Sequence, residues 1–172
     1  MAGLTEAQRA AEIVRDAGGQ IVGRTRLQKI AYILEVAGLG GGFPFRYKHY
    51  GPYSEQLAEA AQTARIVGML SEQETPATWG GVYSTYHSLL PPQGGQVPEA
   101  RQRLAQELVN VDAVELELAA TALFLAYERF PDPWAETARR KPDKADAGRL
   151  QRANQLYQSL RSIPTPRPFP SI

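Results

Sequence analysis

Between Val114 and Tyr127 the chain is apolar on nearly every side of a helix, with Leu116, Leu118, Leu123, Phe124 and Leu125 spread around its circumference. A helix like that cannot lie on a surface and belongs in the middle of a bundle. Asp112 and Glu115 stand at cap-box spacing at its start, and Pro131 and Pro133 end it. The rest of the chain must therefore supply helices to surround it. Glu99–Val109, Trp134–Arg140 and Asp143–Ser162 all read as helices, the last with Leu150, Ala153, Tyr157 and Leu160 on one face.

The N-terminal half is mixed. Thr5 with Gln8 opens a helix to Ala17, on which Ala10, Ile13, Val14 and Ala17 share a face. Gln20–Val22 fits a short strand. Thr25 with Gln28 opens a second helix to Ala37, with Leu27, Ile30, Ala31 and Leu34 on one side and Gly38 as its left-handed stop. Phe43, Phe45 and Tyr47 alternate with Pro44, Arg46 and Lys48 as in a strand, and Gly51-Pro52 then turns the chain. Ser54 caps a third helix to Val67, Gly68 closes it, and Trp79–Leu90 reads as a hairpin or strand. The expected fold is mainly α with a small β component: a winged-helix-like part over 1–90, a helical part over 91–163 packed on it in one compact domain, and a tail over 164–172. That tail places proline at 164, 166, 168 and 170, which favours an extended segment open to disorder and does not make PxxP.

Chemistry is scarce. The chain of 172 residues has no cysteine, which excludes thiolate catalysis, disulfides and cysteine-held metals. The histidines, His49 and His87, make at most half a zinc site, so neither a metal nor any other cofactor is expected. His49 near Ser54 suggests a base and a nucleophile, but Ser54 sits where a helix needs its cap and no GxSxG elbow is present. Glu115 and Glu117, two apart on a helix, point about 200° from each other and suit the helix dipole. Asp143 and Asp146 fit a solvated helix start. No catalytic residue is expected, and the chain reads as a non-enzyme. With 19 basic and 18 acidic residues, the net charge of +1 removes the case for a non-specific polyanion binder. No apolar run reaches the length of a membrane span, and the first twenty residues hold none of signal-peptide length, so no membrane contact and a cytoplasmic place are expected.

Local basic faces remain. Arg24, Arg26, Lys29, Arg46 and Lys48 face a single acid, Glu35, and are interleaved with Tyr32, Phe43, Phe45, Tyr47 and Tyr50. Such a mix suits protein or nucleic-acid contact, or a core whose basic side is simply solvated. The third helix carries Glu55 and Glu59 against Arg65, which phosphates would repel. The second could instead enter a DNA groove with Arg24, Gln28 and Lys29, which lie off its apolar stripe.

Two segments, Gly23–Tyr32 (GRTRLQKIAY) and Tyr47–Leu57 (YKHYGPYSEQL), resemble the YwgA-like family of small bacterial proteins. More distantly they are similar to the Panacea domain of antitoxins and proteolytic adaptors. Lys141-Pro142-Asp143-Lys144 looks like a further recurrent feature of the YwgA-like family. The resemblance implies a mainly helical, non-enzymatic protein with a winged-helix-like N-terminal part. Through the Panacea domain it implies neutralisation of a toxin by direct contact. Read from the residues, Tyr50 and Tyr53 sit on a stiff corner, and rigid tyrosines anchor interfaces at little entropic cost. The expected partner-binding set is Arg24, Arg26, Gln28, Lys29, Lys48, His49, Tyr50 and Tyr53. It forms one platform for a protein partner, such as a cognate toxin. The alternative is a winged-helix transcriptional regulator that binds DNA, as a homodimer, with the Trp79 hairpin as its wing.

Overall fold

The computed structural model describes residues 2–93, 95 and 99–172. Among them are seven helices and five short strands, a mainly α fold with a small antiparallel β part. The chain runs α1 (Ala2–Asp16), β1 (Gln20–Val22), α2 (Arg24–Val36), β2 (Arg46–Lys48), β3 (Gly51–Tyr53), α3 (Glu55–Ile66), β4 (Leu70–Pro76) and β5 (Val82–Ser88). Four helices follow: α4 (Ala100–Val109), α5 (Ala113–Tyr127), α6 (Pro133–Arg140) and α7 (Arg149–Arg161). Among the described residues no helix is long and apolar enough to cross a membrane.

α5 lies in the centre, against α2, α6, α7 and β3, as its all-round apolar character requires. Asp112 Oδ1 accepts hydrogen bonds from the amides of Val114 and Glu115, so this cap forms where the sequence placed it. α2 is the second buried helix. Every residue from Leu27 to Leu34 is buried, because α4 and α5 flank it and β3 packs on it as well. Over these eight residues it has no solvated face, and only Arg24 at its N-terminus is exposed. This corrects the expectation that Gln28 and Lys29 lie free beside an apolar stripe. Its N-cap is Gly23 without a side-chain bond, so the capping box expected at Thr25 does not form.

α1 packs on α3 through small residues, Ala7, Ala10 and Ala11 on one helix and Ala60, Ala61 and Ala64 on the other, which lets the two backbones approach closely. α1 begins at Ala2, ahead of the Thr5 cap that the sequence suggested. β1, β5 and β4 form an antiparallel sheet in that order, with Ile21 opposite Tyr86 and Glu72 opposite Tyr86 on the other side. Trp79 lies in the turn between β4 and β5 and is exposed.

Two segments differ from their expected form. α7 starts at Arg149 rather than Asp143, because Ala147 and Gly148 adopt positive φ of 56° and 76° and break the helix there. The proline-rich tail is docked on the body. The Arg167 amide donates to the Ala37 carbonyl at 3.0 Å, Phe169 is buried against Tyr157, and the Tyr157 hydroxyl donates to the Pro170 carbonyl. One continuous core runs from Ala7 to Phe169 and joins the two expected parts.

Candidate interaction site

The sequence places the chain reversal at Gly51-Pro52. It occurs instead at His49-Tyr50, between the antiparallel partners Lys48 and Gly51, and Gly51–Tyr53 is the return strand β3. Neither His49 nor Tyr50 has positive φ, whereas Gly51 has φ 86°. A two-residue turn followed by a left-handed glycine is a common way to close a hairpin without straining ordinary residues.

α2 grips this hairpin by its backbone. The Gln28 amide donates from Nε2 to the Ser54 carbonyl at 2.9 Å and accepts at Oε1 from the Ser54 amide at 2.8 Å. Ser54 is thereby fixed with φ −119°, and its Oγ accepts from the Leu57 amide as the N-cap of α3. Lys29 Nζ donates to the Pro52 carbonyl at 2.7 Å. Lys29 is 1% exposed. Burial pushes its pKa down to about 8, with Lys141 and Lys144 adding to the fall and Glu117 opposing it.

A second grip comes from the other side. Glu117 is 3% exposed on α5. Its carboxylate pairs with Lys141 Nζ at 2.8 Å and with Lys144 Nζ through both oxygens, at 2.9 and 2.8 Å. Lys141 Nζ also donates to the His49 carbonyl at 3.0 Å, and Lys144 Nζ lies 4.7 Å from the centre of the Tyr50 ring. The three sequence motifs thus meet in one network, with Gln28 and Lys29 below the hairpin and Lys141 and Lys144 beside its tip.

Between the tip and the segment Arg140–Lys144 lies an open groove of about 990 Å³, with Tyr47, Lys48 and His49 as its other wall. Arg140 lies 4.8 Å from the Tyr47 ring centre and its Nε donates to Glu136 at 2.8 Å. Lys48 pairs with Glu55 and sits 5.1 Å from the Tyr53 ring centre. No family model, curated protein or solved structure matches this chain.

The expected platform is therefore divided. Lys48, His49 and Tyr50 are exposed at the hairpin tip and Tyr53 is half-buried beside it. Gln28 and Lys29 are sealed beneath, as scaffolding for the tip. Arg24 and Arg26 are spent elsewhere: Arg24 bridges Glu72 at 2.8 Å and Glu74 at 3.3 Å, and Arg26 donates to the carbonyls of Val22 and Val111. Glu117, Lys141 and Lys144 complete the site although the expected binding set does not include them: the sequence assigns Glu117 to the helix dipole and Lys141 and Lys144 only to a recurrent motif. Glu117 carried a signal, since a carboxylate inside an otherwise apolar helix must find a cation to be buried at all. His49 lies at the hairpin tip and His87 in β5. Among the described residues no group of three or more His, Asp or Glu side chains could hold a metal ion.

Lys29 gives the site a pH signature. The folded chain holds this proton less tightly than the unfolded chain, whose lysines titrate at about 10.4. Stability is therefore expected to rise as pH increases from about 8, where Lys29 titrates, by roughly 2 kcal/mol up to about pH 10. Above that the buried tyrosines reverse the trend, because burial raises the pKa values of Tyr32, Tyr86 and Tyr157. Urea unfolding across this range should show the rise in the natural chain and lose it in Lys29→Met.

Proposed function

We propose that this chain is a non-enzymatic regulatory protein, antitoxin-like or adaptor-like, that binds a protein partner through the β2–β3 hairpin tip. The observation that carries this reading is Tyr50, 57% exposed on a two-residue turn whose backbone is held from both sides. Lys141 holds His49, Lys29 holds Pro52 and Gln28 holds Ser54. An exposed tyrosine on so fixed a backbone gives up little conformational freedom on binding. The resemblance to YwgA-like proteins and Panacea domains points the same way, and a cytoplasmic place fits the role.

A winged-helix reading of the N-terminal part has support in the order α1-β1-α2-α3-β4-β5, into which the β2–β3 hairpin is inserted between α2 and α3, and in the sheet order β1-β5-β4, with Trp79 at the tip of the final hairpin. It keeps a DNA-binding alternative in view. α2 cannot serve as the groove reader, since Gln28 and Lys29 are buried. α3 would have to serve, and its exposed face presents Glu55 and Glu59 against Arg65. Two carboxylates facing phosphates weaken that alternative.

The test is recovery of the tagged chain from its host at natural abundance. A stoichiometric protein partner is expected with the natural sequence, and Tyr50→Ala should lose it while melting at an unchanged temperature. No partner, or one retained by Tyr50→Ala, would overturn the reading. For DNA binding to replace it, duplex from the chain's own promoter region must bind at about 50 mM salt and weaken roughly 10³-fold by about 200 mM.

A further inference from the structure

The charges around the groove do not balance. Lys48 is paired with Glu55, and Arg140 with Glu136. Lys29, Lys141 and Lys144, however, share the field of one buried carboxylate, Glu117, and even with the exposed Asp143 on the groove wall three ammoniums stand against two carboxylates. Lys29 and Lys141 are buried and cannot turn out to water, whereas the Lys144 side chain is 34% exposed and reaches the groove. Partly buried charges are poorly screened by salt, so the excess is felt in the groove itself. Its walls also offer the Tyr47 ring and the exposed Pro142, and Tyr50 stands against Lys144.

We propose that this groove receives the carboxylate side chains of an acidic segment of the protein partner, with a carboxylate paired to Lys144 and its neighbours lying against the tyrosines. The inference rests on reading the hairpin tip as the partner surface and names the partner's chemistry. A nucleic-acid backbone fits less well. Its evenly spaced phosphates need a row of free cations, and here Lys48 and Arg140 are already paired with Glu55 and Glu136.

The probe is a fluorescein-labelled glutamate decamer, followed by anisotropy against the full chain at about 50 mM salt. Saturable binding is expected for this peptide and none for a glutamine decamer of the same length. Lys144→Glu should weaken binding at least about tenfold. Arg24→Glu, a basic site outside the groove, should change it less than about twofold. In the natural chain the Nζ resonances of Lys141 and Lys144 should shift on titration, which gives a reading even where the Lys144 variant folds poorly. Absence of saturable binding, equal binding of the glutamine peptide, equal sensitivity to Arg24→Glu, unmoved lysine resonances, or displacement by duplex DNA would each overturn the proposal. A co-purified partner that stays bound to Lys144→Glu would overturn the carboxylate assignment alone. Binding of the decamer without any recovered partner would leave the groove assignment standing and overturn the partner reading.

Discussion

Glu117→Gln is expected to destabilise the fold by about 3–5 kcal/mol, the usual cost of removing one member of a buried ion pair. The carboxylate is 3% exposed and its partner Lys141 is likewise buried. Lys144 can follow its ammonium towards water, which recovers part of the loss, but Lys141 and Lys29 cannot. The variant also removes the group that supports protonation of Lys29, so the pH rise of stability should begin below its ordinary onset near 8. Glu115→Gln is the control. Its partner Arg152 is half exposed at 2.5 Å, a surface pair worth at most about 1 kcal/mol. Urea midpoints at constant m value compare the two directly. Equal, small effects would mean that the α5 carboxylate does not hold the hairpin. A double variant, Glu117→Leu with Lys141→Met, should regain part of the loss, since an apolar pair of similar volume avoids the desolvation of both charges.

The elements legible in the sequence are those whose signals are local. Asp112 and Ser54 cap α5 and α3, Gly38 ends α2 with φ 81°, and the apolar circumference of α5 places it centrally. The rest depends on partners distant in the chain. Periodicity shows where apolar residues lie, but not that a Gln-Lys pair off the stripe will be buried by satisfying Ser54 and Pro52. β4 (LSEQETP) has no strand pattern of its own; pairing with β5 makes it one, and only Leu70 is buried. The Asp143–Gly148 segment reads as the start of α7, yet the ties from Lys141 and Lys144 to Glu117 and a left-handed Ala147 hold it as turns. The tail's prolines predict extension, and the buried Phe169, the Arg167 amide and the Pro170 carbonyl dock it. For the site, the motifs themselves were visible in the sequence. Their convergence was not, because it depends on a carboxylate, Glu117, whose place in the sequence points to the helix dipole alone.

Gly51→Ala is expected to cost about 3 kcal/mol, from two separable causes. The first is conformational: Gly51 has φ 86°, and a left-handed L-residue costs roughly 1–2 kcal/mol. The second is steric, since a Cβ here would stand 2.5 Å from Thr121 Oγ1, on the α5 surface one turn beyond Glu117. Gly68→Ala isolates the first cause, because its φ is 83° and, among the described residues, no heavy atom lies within 4 Å of the added carbon. It should lose about 1 kcal/mol. Thr121→Ala isolates the second. The Thr121 hydroxyl is buried without a hydrogen-bond partner among the described residues, so its removal alone costs little in hydrogen bonding. In the double variant with Gly51→Ala it should restore the steric part and leave the backbone part. The cycle thus measures how tightly β3 is pressed on α5. The same displacement moves Tyr50, so Gly51→Ala should also weaken binding of the glutamate decamer, and the double variant should recover it. A Gly51→Ala cost no larger than that of Gly68→Ala would mean that the hairpin rides free of α5, and its tip would then have no rigidity to offer a partner.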